Sequence, residues 1–151
     1  MKNMYNEADV VQLLDSTALA HTDQTSGIID VHGAEGIMIL CQIGALTGLD
    51  SSNYVVPTLQ ESDSTATGTF TAVAAADMIR QDGTAAVWEK IDDGAEDSCT
   101  IWASYIGQKR YVRVLFDTTS TGTYPTGNVA VIAVLTHAAV SPPSFAVTAT
   151  T

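Results

Sequence analysis

From residue 27 to residue 140 the sequence is a succession of short apolar runs, many alternating with period two, separated by clusters of Gly, Asp, Asn and Ser. Side chains of a strand alternate between two faces, whereas a helix repeats its apolar positions every three or four residues. This pattern excludes a helical bundle and predicts an all-β chain. The candidate strands are 27–31, 36–43, 54–61, 69–73, 86–91, 99–106, 110–116 and 129–136. Eight short strands in a chain of 151 residues suit a single β-sandwich, jelly-roll-like in architecture. Residues 1–140 are read as that domain with a short N-terminal segment. After Pro142-Pro143, which cannot continue a helix or a central strand, residues 141–151 are read as an extended arm.

Within 36–43, Ile37, Ile39, Cys41 and Ile43 share one face and Met38, Leu40 and Gln42 the other, so both faces are largely apolar and a central strand is expected. The same holds for 129–136, which is expected to be buried. Segments 99–106 and 110–116, joined through Gly107-Gln108-Lys109, have the spacing of a hairpin. Residues 6–14 place Val10 and Leu14 four apart behind Asn6, which allows a short helix; an edge strand is the alternative. The Ala-rich stretch 74–80 is read as one helical turn at the rim.

The charged residues narrow the function classes. Six Lys and Arg against seventeen Asp and Glu give a formal charge of −11. Such a surface repels phosphate backbones and anionic membranes, so neither nucleic acid nor a membrane is an expected partner. Apolar runs 36–49 and 129–140 fall short of the roughly 20 residues that a spanning helix needs. Glu7 and Asp9 stand where a secretory signal would be apolar, so secretion is not expected. Cys41 and Cys99, with no CxxC and no second pair, read as free thiols.

No residue constellation specifies a reaction. His21, His32 and His137 lie at no ligand spacing from one another or from cysteine. Asp30 and His32 share a strand face, but two residues do not make a zinc site, and no metal or cofactor is assigned. The run Asp92-Asp93-Gly94-Ala95-Glu96-Asp97 lacks the order of a calcium loop and reads as a solvated turn. There is no G-x-S-x-G nucleophile motif, so no enzymatic activity is expected. Trp88, Trp102, Tyr105 and Tyr111 are candidates for a glycan-stacking platform, with burial in the core as the ordinary fate of strand aromatics. Lys109, Arg110 and Arg113, half of all the cations, cluster at one turn, where they suit either an interface with an acidic neighbour or pairing within the chain.

Pro57-Thr58-Leu59-Gln60-Glu61-Ser62-Asp63, followed by Gly68 to Val73 and then by Ser104-Tyr105-Ile106-Gly107-Gln108-Lys109-Arg110-Tyr111-Val112-Arg113-Val114, resembles a group of small tailed-bacteriophage virion proteins. That group carries an LQESDDG-like hairpin, a YIG-x-KRYVRV hairpin and a final apolar strand ending near a proline, here residues 129–143. This chain departs from it at the DDG turn, which is lengthened to Asp63-Ser64-Thr65-Ala66-Thr67-Gly68. The resemblance implies a head cement or decoration protein, assembled in the host cytoplasm and bound as a dimer or trimer to the outside of the head. Its implied partner is the major capsid protein. Lys109, Arg110, Arg113 and Phe145 of the arm are the expected interface residues. A head-tail connector or tail component, and a carbohydrate-binding module, are the alternatives.

Overall fold

The computed structural model describes residues 8–19, 22–136 and 147–148. Among them are eleven strands: β1 (Ala8–Leu19), β2 (Gln24–Thr25), β3 (Ile28–Asp30), β4 (Gly36–Ile43), β5 (Tyr54–Ser62), β6 (Thr71–Ala72), β7 (Met78–Arg80), β8 (Cys99–Tyr105), β9 (Tyr111–Thr119), β10 (Gly127–Thr136) and β11 (Val147–Thr148). They form two antiparallel sheets, one in the order β1-β10-β4-β8-β7 and the other β11-β3-β9-β5-β6, with β2 also on β9. The pairs β1 with β10, β3 with β9, β4 with β8 and β5 with β6 are nested in sequence. Four nested antiparallel pairs rolled into two layers make a jelly roll, so the all-β sandwich expected from the sequence is the fold. Strands β2, β7 and β11 extend the eight-strand frame.

The core lies between the sheets. Ile37, Ile39, Cys41 and Ile43 of β4 lie beside Val129, Val131, Ala133 and Leu135 of β10, and face Ile29, Val55, Leu59, Val112, Val114 and Phe116 of the other sheet. Each such Ile, Leu or Phe contributes about 1.5–3 kcal/mol on burial. Two buried polar residues hold irregular points. Ser26, between β2 and β3, accepts the Val114 amide at 2.9 Å and donates to Gly27 O at 2.9 Å. Asn53 donates to Asp50 at 2.7 Å and accepts from Ser120 Oγ and the Thr121 amide, tying two loops together.

Several expectations are corrected. Residues 99–116 are not a hairpin: β8 pairs with β4 and β7, β9 with β5, β3 and β2, in opposite sheets. The linking residues 106–110 carry the chain from one layer to the other. Residues 8–14 of the expected helix are strand, residues 6 and 7 lying outside the described residues; β1 is an edge strand whose register shifts between Gln12 and Leu14 and again between Leu14 and Thr17. These bulges reset the two-residue parity and so mimic helical spacing. Segment 86–91 forms no strand. It touches the ladder through one bridge, Ile91 to Val55, while Trp88 and Ile91 plug the core. Segment 69–73 shrinks to β6 behind a 3-10 turn at Thr67–Thr69, and the expected turn in 74–80 is a 3-10 turn at Ala75–Asp77 leading into β7. Of the proposed arm, β11 pairs with β3, placing Val147 opposite Ile29.

Strands β4 and β10 are central, as their composition requires, but only one face of each is interior. Ile132 points outward and is 37% exposed, while Met38, Leu40 and Val134 are half-buried on the same outer face.

Candidate functional site: a tied corner

The two motif segments meet at one corner of the roll. The end of β5, Gln60-Glu61-Ser62, lies in register with Tyr111 to Arg113 of β9. Tyr105, at the end of β8 and 6% exposed, reaches across from the opposite sheet. Its hydroxyl donates to Glu61 Oε2 at 2.5 Å and accepts the Lys109 amide at 2.9 Å. Gly107 lies against this ring so closely that a Cβ there would sit 2.5 Å from it. A residue with no side chain thus lets the chain bend around Tyr105 and change sheets. Burial, aided by the Glu61 bond, raises the Tyr105 pKa above its ordinary value of 10.0.

Three cations hang on this corner. Lys109 Nζ pairs with Asp63 Oδ2 at 2.5 Å, and that hydrogen bond lowers the Asp63 pKa while raising that of Lys109. Arg110 grips Asp30 with both Nε and Nη2, the latter at 2.7 Å, lowering the Asp30 pKa. Arg113 is different: 7% exposed, it donates Nε to Gln60 Oε1 at 2.8 Å and Nη2 to Thr67 O, under the Phe70 ring whose centroid is 4.2 Å away. Its Nη1 is buried without a hydrogen-bond partner among the described residues, and burial lowers its pKa. The lengthened loop 63–68 therefore acts with Phe70 as a cover for Arg113.

Of the sequence-predicted interface residues, Lys109 and Arg110 keep side chains 46% and 52% exposed, within reach of a partner. Arg113 packs inside the corner, and Phe145 lies outside the described residues, as do His21 and His137. Exposed ion pairs of this kind are worth about 0–1 kcal/mol, so Lys109 and Arg110 can exchange their partners at little cost. Asp30 and Glu61 were not predicted as corner residues. The signal for Asp30 was present in its strand face, but its partner lies 80 positions away.

The other candidates are dispersed. Trp88 and Tyr105 are interior, Trp102 lies on the outer face of the first sheet and Tyr111 on the second, so the four do not form one platform. In the acidic run, Asp97 accepts the Leu46 amide at 2.6 Å, Asp93 the Ala95 amide and Glu96 the Asp92 amide, while Lys90 pairs with Asp92. Its carboxylates serve as loop caps. Among the described residues no group of three or more His, Cys, Asp or Glu is placed to hold a metal ion, and no helix is long and apolar enough to cross a membrane.

These features define a jelly-roll β-sandwich with a hydrogen-bonded, salt-bridged corner. The fold is similar to the crystal structure of SPBc2 prophage-derived protein YomS, with a TM-score of 0.53 and 9% identity, over 85% of this chain and 92% of that one. At that identity the shared property is the fold. No protein-family profile matches the sequence, and no curated protein matches it.

Proposed function

We propose that this chain is a structural virion protein of the capsid cement or decoration type, which binds across adjacent major capsid subunits on the outside of a phage head. The observation that carries this reading is the jelly roll shared with a prophage-derived protein, in a chain whose virion-like motif segments 57–63 and 104–114 together build one corner of the roll. A cement protein resists the outward strain of a filled head by burying surface across neighbouring capsomers, and symmetric repetition lets modest contacts add. A sandwich with exposed Lys109 and Arg110 on a tied corner suits that task. In an otherwise acidic subunit these two cations mark where an acidic capsid surface docks.

The test is co-sedimentation of the purified protein with expanded, undecorated heads, counting bound copies per major capsid subunit. Saturable binding at a simple ratio, with heads more resistant to heat, is the expected result. Absence of binding to the capsid lattice overturns the cement reading and favours a connector, tail or glycan-binding role. The double variant Lys109→Glu, Arg110→Glu is expected to abolish binding while remaining folded.

A further inference from the structure

The outer face of the β1-β10-β4-β8-β7 sheet carries an apolar stretch. Two adjacent cross-strand rows lie on it: Val10, Val134 and Met38, and next to them Ile132, Leu40 and Trp102. Val10 is 71% exposed and Ile132 37%, so the face is open to solvent. The remaining outward positions in register, such as Gln42, Thr100 and Ser104, are neutral. Among the described outward positions of this sheet Asp15, on the bulged part of β1 opposite Ala130, is the one charged residue, in a chain that carries seventeen acidic residues and six basic ones. Asp15 marks the rim, on the irregular part of β1, with its carboxylate taken by Gln12 Nε2 and its neighbour's amide.

We infer that this face packs against the same face of a second copy of the chain about a two-fold axis. Charge selects the occupant. The outward face of the other sheet carries Asp30, Arg113 and Asp117; here two neutral rows meet neutral rows. Area permits it: five strands about 4.8 Å apart and about 27 Å long present about 600 Å² per copy, or about 1,200 Å² in total, the size of a specific interface. A sheet face is also self-complementary under a two-fold axis, because sheets stack face to face with interdigitating side chains. The resemblance implies a dimer or trimer; this inference adds the face and the two-fold axis, and it does not depend on capsid binding, since it concerns the purified chain alone.

The experiment is sedimentation equilibrium of the full chain from micromolar to submillimolar concentration, beside Val10→Lys, Ile132→Lys and, as a control at the tied corner away from this face, Arg110→Ala. The wild type and the control are expected to run at twice the chain mass. Each Lys variant is expected to weaken dimerisation about 100-fold or more while keeping the wild-type circular dichroism spectrum. Val10 is on an edge strand and largely exposed, so its variant tests the interface even if Ile132→Lys fails to fold. A monomeric wild type, a trimer, or a dimer untouched by Val10→Lys would overturn the inference.

Discussion

Replacing Tyr105 with Phe removes one oxygen and leaves the ring in place, so its cost isolates the hydrogen bonds that tie the corner. The hydroxyl donates to the Glu61 carboxylate at 2.5 Å and accepts the Lys109 amide at 2.9 Å. A bond to a charged acceptor is worth about 1.5–3 kcal/mol, and an amide left unpaired costs about 1 kcal/mol more. Glu61 is only half-buried and regains some water, which trims the sum to about 2–4 kcal/mol. In a chain of this length that corresponds to a melting temperature lower by about 5–12 °C. Urea unfolding followed by near-ultraviolet circular dichroism measures it, with Tyr111→Phe as the control expected to stay within about 0.5 kcal/mol. A Tyr105→Phe protein as stable as the wild type would refute the claim that this hydroxyl holds the two sheets at the corner.

The same tyrosine gives a pH dependence. Because its folded pKa is raised above 10.0, the neutral form stabilises the fold fully below that value, and the contribution is lost as pH rises through the folded pKa. Wild type is therefore expected to lose stability above about pH 10 more steeply than Tyr105→Phe, which a urea midpoint series checks; parallel curves would contradict it. Gly107→Ala is expected to cost about 1–3 kcal/mol, since its Cβ meets a ring fixed on both sides; an unchanged urea midpoint would refute this. Arg113→Ala is expected to cost about 2–4 kcal/mol through lost packing under Phe70 and an orphaned Gln60, whereas Arg110→Ala should cost under about 1 kcal/mol; equal losses by calorimetry would contradict the difference in burial. In native alkylation followed by mass spectrometry, half-buried Cys99 is expected to react before Cys41, which is fully interior and labels only on unfolding.

The class of fold was legible because period two is a local property, and β4 (Gly36–Ile43) has the bounds its alternation predicts. Partner choice was not legible in the same way. In a jelly roll most pairings join strands far apart in sequence, such as Ala8 with Thr136, and no local rule separates a hairpin from a chain that crosses between layers. At 99–116 the deciding feature was Gly107, which fits a hairpin turn and equally fits a bend around Tyr105. Bulges hid β1 for a related reason, since each shifts the parity that reveals a strand. At the corner the cations could be found from their clustering, but Asp30, Glu61 and Asp63 are three among seventeen acidic residues, and only the fold says that Asp30 and Asp63 face a cation and Glu61 the Tyr105 hydroxyl.

The outer faces of β4 and β10 carry the more instructive difference. An apolar run on both sides of a strand signals that each side is withdrawn from water, and sequence alone assigns both to the chain's own core. Here Ile39 and Ala133 on the inner face are fully buried, while Leu40 and Ile132, paired on the outer face, retain solvent contact. One of these burials is made by the opposite sheet; the other is the one that the two-fold packing inferred above would make. A polar outer face would have been simpler for a free subunit, because apolar side chains there stabilise nothing until they are covered. That a chain with seventeen acidic residues places, among the described residues, Asp15 alone on the outward side of this sheet is the bias that the inferred second covering requires.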